Sequence, residues 1–301
     1  VEFVFVDSGS SDGSLNYFRD LASTEAVQLI VTHPDEPFVY ARNLNRGAQV
    51  ARGKWLVFAN NDIEVRDTSL FGKLARGLGD LRVGAIGTLT DYDCGNELQQ
   101  QGSLPEERVW SLKPVMGFLW AVRADVFAEL GGLDETFCDY GCDEIDFEYR
   151  AIQRNYRLAI VDSLVHHEVH ATFGSNIVPG LLRNIDRFNA KHGCQLVGGG
   201  RWYAPFLSHS YPRVSVAIAC RNHGGYLPRA LDSVLGSYLP PDTGLQAVVV
   251  NDASTDETAA VLEQYRLRYS EQVNAIHRSR SRGPAVAKNE AIQRCIGDTI
   301  A

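Results

Sequence analysis

A chain of 301 residues with 45% hydrophobic and 22% charged content holds enough apolar material for more than one packed domain and is not of disordered composition. Its formal net charge of −8 argues against a nucleic-acid partner, whose phosphates want a basic face. No apolar run is long enough to span a bilayer, and the opening residues do not read as a secretory signal. The six cysteines are scattered, with only Cys138 and Cys142 close together, which fits neither a zinc site nor a disulfide framework; reduced thiols in a cytoplasmic protein are expected.

In chain order the pattern predicts a strand over 1–7, a helix near 14–22, a strand over 27–32, a helix near 40–52 and a strand over 54–59. Such alternation argues for a parallel, doubly wound α/β sheet, in which ligands bind outside the carboxyl ends of the strands. Two of these ends are polar. VEFVFVDSGSSDGS places Asp7 at the first, where the residues alone read as a loop cap with Ser8, Ser10 and Asp12. LVFANNDIEV places Asn60, Asn61 and Asp62 at the third. Asn and Asp are poor strand residues and costly to bury unpartnered, so this cluster is either a turn or a site.

Further along, YGCDEIDFEYR opens an amphipathic helix with Asp143, Glu144 and Asp146, while Ile145, Tyr149 and Ile152 share one side. Acids there suit the helix dipole, and Asp143 suits an N-cap, quite apart from catalysis. LVHHEVH offers His166, His167 and His170. Gly198-Gly199-Gly200 has no helical pattern after it and reads as a linker turn, and the basic run His277–Arg282 as a solvated loop.

Late in the chain, QAVVVNDASTDET repeats the pattern of the opening stretch. Asp12 and Asp256 stand 244 residues apart, and the same offset links His33 to His277, Asn45 to Asn289, Gly53 to Gly297 and Leu56 to Ile300. That spacing is far too long for a solenoid repeat and implies two copies of one domain. The second copy opens with RVSVAIACRNHGGYLPRALDSVL, whose first-copy counterpart would precede Val1, while the second-copy counterpart of Asn60 would fall just past Ala301. The expected layout is a domain over 1–208 lacking its first strand and helix, then the N-terminal part of a second domain over 209–301, within a larger tandem protein.

VFVDSGSSDGS and EPFVYARNLNRGAQVARGKWLVFANNDIEV, followed by VMGFLWAVRADVFAELGGLDETF, YGCDEIDFEYR, LVHHEVHATFG, NIDRFNAKHG and RWYAPFLS, resemble the family 2, GT-A type glycosyltransferases. The likeness is strongest to bacterial surface-polysaccharide members of the rhamnosyl- and galactofuranosyltransferase kind. It covers residues 1 to about 208 and again about 213 to the end.

The resemblance implies a GT-A fold, with a Rossmann-like, mostly parallel sheet flanked by helices. It further implies inverting transfer of a sugar from a UDP-, dTDP- or GDP-sugar to a hydroxyl of a growing or lipid-linked glycan at the inner face of the membrane. In the family an Asp-x-Asp motif at a strand end holds a divalent cation that offsets the charge of the leaving diphosphate. Here Asp62 takes the ligand position and Asn60 the first acidic place, where the missing charge weakens the site. His167 is implied as a further metal or diphosphate contact, which favours Mn²⁺ over Mg²⁺. Asp7, Asn45, Asn60 and Asp62 are the implied donor-binding residues of the first copy, and Asn251 and Asp252 those of the second. The general base is one of Asp143 and Glu144, and alignment through Asp146 and Arg150 gives Glu144 the usual position. The rival reading is an inactive nucleotide-binding or scaffolding module, which Asn60 favours. A sugar nucleotidylyltransferase is weaker, for want of a glycine-rich, arginine-bearing opening.

Overall fold

The computed structural model describes residues 1–24, 27–32, 36–92, 96–168, 177–198, 201–207, 209, 214–237, 244–270, 272–297 and 299–301. His33, Cys94, His170, Gly199 and Gly200 lie outside the described residues. The chain divides into two compact units, the first made of Val1–Gly79, Val83–Ala151 and Arg157–Leu207, the second of Asp80–Arg82, Ile152–Tyr156 and Ser208–Ala301.

The elements in chain order are β1 (Phe3–Asp7), α1 (Ser14–Thr24), β2 (Val27–Val31), α2 (Tyr40–Val50), β3 (Trp55–Ala59), β4 (Ile63–Val65), α3 (Leu70–Leu78) and β5 (Val83–Thr90). They continue with β6 (Arg108–Ser111), β7 (Leu119–Arg123), α4 (Ala124–Glu129), α5 (Asp143–Gln153), β8 (Arg157–His167), α6 (Val178–His192), β9 (Val197–Gly198), β10 (Arg201–Trp202) and α7 (Ala204–Leu207). Then come β11 (Val214–Cys220), α8 (Leu227–Leu235), β12 (Leu245–Asn251), α9 (Thr258–Arg268), β13 (Val273–His277), α10 (Pro284–Arg294) and β14 (Thr299–Ile300).

In the first unit β5 is buried along its whole length, as a central strand covered on both faces must be. One face packs on α3, whose Leu70, Leu74 and Leu78 recur every four residues and meet Val83, Ile86, Leu119, Ala121, Ala159 and Val161. Gly77 lets that helix approach, since a Cβ there would lie 2.4 Å from Ile86 Cδ1. Strand alternation sends Trp120 to the other face, where its ring lies 4.6 Å from Phe58 and 5.4 Å from Phe147. Each such buried large side chain contributes roughly 1.5–3 kcal/mol of transfer free energy.

The strand order is β3-β7-β5-β8-β4, with β6 also on β8. Only β5 and β8 pair in parallel here; β3–β7, β5–β7, β4–β8 and β6–β8 are antiparallel. β1 and β2 form a separate parallel pair. The second unit is parallel throughout, in the order β13-β12-β11-β14. Its two faces alternate along β12: Ala247 and Val249 pack under α8 and α9, Val248 and Val250 under α10.

The elements of the two units correspond at the offset seen in the sequence. α1 and α9 begin at Ser14 and Thr258 and end at Thr24 and Arg268, while α2 and α10 begin at Tyr40 and Pro284 and end at Val50 and Arg294. One pairing differs. Asp7 lies opposite Val31, whereas Asn251 lies opposite His277. His277 therefore takes the sheet position of Val31, not that of His33, because the link into β13 is two residues longer than the link into β2.

Candidate active site

β3 delivers the polar cluster to its carboxyl end, where Asn60 N–H donates to the Phe118 carbonyl at 2.9 Å. The chain turns through Asn60 and Asn61 into β4, which runs antiparallel to the end of β8 with Ile63 opposite His167. That register puts Asp62 beside His167: Oδ1 and Nε2 are 3.2 Å apart, and Glu168 N–H donates to the Asp62 carbonyl at 2.8 Å. The imidazole stacks on Phe118 with ring centroids 5.4 Å apart, and its Nδ1 is buried without a hydrogen-bond partner. The expected metal pair is thus brought together. Its neighbour His166 turns away to Asp91 and Glu168, the former raising its pKa.

Tyr40, at the start of α2, joins this turn to the acidic pair. Its hydroxyl donates to Asn60 Oδ1 at 2.7 Å and reaches the Gly117 carbonyl at 3.3 Å. Gly117 in turn lies against Glu144, where a Cβ would come 3.1 Å from Cδ, and its backbone N–H bonds the Glu144 carboxylate. Gly141 and Cys142, at φ 73° and 72°, form the left-handed turn that aims Asp143 and Glu144. A non-glycine residue there costs about 1–2 kcal/mol, a strain typical of functional turns.

The electrostatics separate the two acids. Asp143 is buried, and burial together with the Glu144 charge holds its carboxyl well above the usual range; its Oδ2 has no partner. Burial raises Glu144 as well, but the Asp143 hydrogen bond and the Gly117 N–H restrain it. The two acids therefore titrate as one pair held above the usual carboxylate range, of which Glu144 is the less buried member and the one that meets the Gly117 N–H. Burial, then Glu144, Tyr92, Asp143 and Asp62, push Tyr140 up to about 12; burial, then Asp143, Glu144 and Asp62, raise Tyr40. Both phenols thus share one electrostatic environment with the three carboxylates. Neither Tyr40 nor Gly117 stood out in the sequence, although the helix expected near 40–52 begins at that tyrosine.

Two expected donor residues have other duties. Asn45 is a clamp: its Nδ2 donates to the Leu133 carbonyl at 2.8 Å, and its Oδ1 accepts the Leu133 N–H at 2.9 Å. Its amide holds the loop after α4. Asp252 is likewise engaged, accepting from Ser281 Oγ, Arg278 Nη1, and the backbone N–H groups of Arg282 and Gly283 at 2.7–3.0 Å. These donors hold its carboxyl far below the ordinary range and make it the anchor of the basic loop. Asp7 and Asn251 occupy equivalent turns, each accepting the N–H three residues on, from Ser10 at 3.2 Å and Ser254 at 3.0 Å.

One carboxylate and one imidazole, 13–14% exposed and 3.2 Å apart, fit a hard divalent cation that completes its shell from phosphate and water. Among the described residues no cluster of three or more His, Cys, Asp or Glu side chains forms a self-sufficient metal cage. Asn60 Oδ1 is committed to Tyr40, which leaves Asp62 and His167 as the pair that could hold such a cation.

An α/β chain with a polar turn at a strand end and a buried acid pair across a glycine shelf has the features of the GT-A class. Residues 1–128 and 215–301 match the profile of the family described as glycosyl transferase family 2, and the chain belongs to that family. A teichuronic acid biosynthesis glycosyltransferase of Bacillus subtilis is 32% identical over 90 residues, which is 30% of this chain and 34% of that protein. A poly(ribitol-phosphate) beta-glucosyltransferase of Bacillus spizizenii is 32% identical over 89 residues, 29% of this chain and 14% of that one. The chain thus spans about a third or less of the length of these curated relatives. Among solved structures, a mannosyltransferase of Pyrobaculum calidifontis in complex with GDP-Man and Mn²⁺ superposes with a TM-score of 0.51 at 18% identity, covering 99% of this chain and 77% of that one; the likeness is one of fold. No helix among the described residues is long and apolar enough to cross a membrane.

Proposed function

We propose that the first unit is an inverting glycosyltransferase that moves a hexosyl or deoxyhexosyl group from a nucleotide sugar to a hydroxyl of a growing surface glycan. The observation that carries this reading is the continuous link Asp62–His167, Asn60–Tyr40–Gly117 and Glu144, which sets a cation-type donor pair beside a proton-accepting carboxylate. Asp62 and His167 would hold the cation, which offsets the charge growing on the diphosphate. Glu144 takes the proton of the attacking hydroxyl, Asp143 keeps Glu144 ionised by donating to it, and Tyr40 fixes the distance between the two halves.

The Mn²⁺ bound beside GDP-Man in the Pyrobaculum mannosyltransferase, and the imidazole in the donor set, support Mn²⁺ over Mg²⁺. The polymer-building relatives support a cell-surface polysaccharide acceptor, with a rhamnosyl- or galactofuranosyl-type donor and work at the inner membrane face as the narrower reading. The doubled family match supports a tandem protein, with domains over 1–208 and 209–301.

Calorimetry with UDP, dTDP and GDP, each with Mn²⁺ and with chelator, tests the proposal. Metal-dependent binding of one nucleotide is expected, weakened at least tenfold in Asp62→Ala. Binding of none of the three would refute it in favour of a scaffolding module.

A further inference from the structure

Residues 114–117 lie between β6 and β7 and belong to neither strand. Backbone that packs against a core outside a ladder must find its partners elsewhere, and here side chains supply them. Asn96 Nδ2 donates to the Pro114 carbonyl at 2.8 Å. The Val115 N–H donates to Glu148 Oε2 at 2.8 Å, the Met116 N–H to Gln99 Oε1 at 2.9 Å and the Gly117 N–H to the Glu144 carboxylate. At the far end the Tyr40 hydroxyl reaches the Gly117 carbonyl at 3.3 Å.

Glu144 and Tyr40 belong to the site already described, whereas Asn96, Gln99 and Glu148 are buried beneath it. Gln99 is held in turn, its Nε2 donating to the Thr88 carbonyl of β5 at 2.9 Å. Val115 seats directly on β5, where a Cβ on Gly87 would lie 1.9 Å from Val115 Cγ1. Glu144 and Glu148 stand four residues apart on α5, so one face of that helix supplies acceptors for alternate N–H groups of the row. The second oxygen of Glu148, Oε1, is buried with no hydrogen-bond partner among the described residues. A half-satisfied buried acid costs the fold stability, so stability does not account for it. A fixed acceptor for Val115 does.

We propose that Glu148, together with Gln99 and Asn96, is a positioning residue for the general base. These side chains fix the Pro114–Gly117 row so that the Gly117 N–H meets Glu144 and the Gly117 carbonyl faces Tyr40. The assignment rests on the transferase reading, in which Glu144 accepts the proton. Glu144 is faced by Asp143 and Glu148 of its own helix, by Tyr140 and Cys142 of the preceding loop and by Tyr40 of α2, and these groups share its titration.

The test compares Glu148→Met, which fills similar space without an acceptor, with Glu148→Gln, which keeps one. In the full 301-residue chain the Gly117 amide is followed by NMR against pH, alongside kcat and calorimetric affinity for UDP, dTDP and GDP with Mn²⁺. In the parent and in Glu148→Gln the Gly117 amide should titrate with Glu144. In Glu148→Met that response should lose roughly half its amplitude or more, and kcat should fall about tenfold or more as the base is misplaced. The acidic limb should move upward, since the Gly117 N–H lowers Glu144, while nucleotide affinity stays within about twofold. Gln99→Met, which cuts the Met116 tether from another segment, should give the same pattern and decides the matter where Glu148→Met does not fold. Parental Gly117 titration and kcat in the two Met variants would overturn the proposal. So would a Gly117 amide that does not titrate in the parent, equal losses in Glu148→Gln, or a parallel loss of nucleotide affinity. A parent in which Gly117 titrates yet no nucleotide binds would refute the transferase reading and uphold the placement.

Discussion

Asp143 and Glu144 are adjacent in sequence and both buried enough to be raised, yet their surroundings give them different duties. Glu144→Gln removes the proton acceptor while keeping shape and the Gly117 contact. It should lower kcat by roughly 10²–10⁴ with nucleotide affinity unchanged in calorimetry. Asp143→Asn keeps a donor toward Glu144 and should retain most of kcat. It should also move the acidic limb of the rate profile slightly upward, since the Asp143 hydrogen bond lowers Glu144 and an amide donates more weakly. Equal losses in both variants would show that the two carboxyls act as one unit.

At the scale of elements, α5 carries two further buried acids with opposite consequences. Burial works to raise Asp146, but His192 at 2.8 Å, Arg150 at 2.8 Å and Lys191 at 2.7 Å outweigh it and hold the carboxyl below its ordinary value of 3.8. Its stabilisation is fully present above that value and is lost as pH falls through the lower folded one. Asp146→Ala takes this partner from His192, Arg150 and Lys191, of which Arg150 keeps the Leu130 and Gly132 carbonyls and Lys191 keeps Asp134, and should cost about 3 kcal/mol at pH 7 by denaturant unfolding. Glu148 is the reverse case. It is fully buried, accepts one bond from Val115 N–H at 2.8 Å, and burial raises it well above 4.5. The unfolded chain gives up this proton first as pH rises, so Glu148 reduces stability above the ordinary range. Glu148→Gln keeps an acceptor for Val115 and should melt higher than the parent at pH 8, with the gap closing toward pH 4. A gap that does not change with pH would show that Glu148 is ionised in the fold.

These elements also mark how far the sequence could be read. Runs such as Val27–Val31 are local, so the early elements were legible to within a few residues. Asp62 could be placed at a strand end and the acid pair at a helix start from local pattern, whereas His167 came forward only through the family resemblance. The mixed sheet was not, since antiparallel entry of β4 and β7 depends on pairing between segments far apart in the chain. The structural bonds of Asn45 and Asp252 were hidden for a related reason. A conspicuous polar residue near a strand end looks alike whether it faces a ligand or a loop, and only the partners at Leu133 and Ser281 tell the two apart.

For the whole molecule, each unit has its own apolar clusters, one centred on β5 and the others on the two faces of β12. Units with separate cores need not unfold together, so calorimetry should show two transitions, with a total enthalpy exceeding the van't Hoff value of either. The half-exposed β1 should exchange its amides through low-energy openings, while β12, buried throughout, should exchange near the global limit of its unit. The transferase reading then assigns the transitions. Asp62, His167 and Glu144 all belong to the first unit, and Asp252 of the second has its acceptors filled by its own loop. The matching nucleotide with Mn²⁺, at about a hundredfold excess over Kd, should raise one transition by roughly 2.7 kcal/mol and leave the other in place. In Asp62→Ala that shift should vanish while both transitions persist. A shift of the other transition, unaffected by Asp62→Ala, would instead place the nucleotide on the second unit, where the Arg278–Gly283 loop and the start of α10 meet the end of β12.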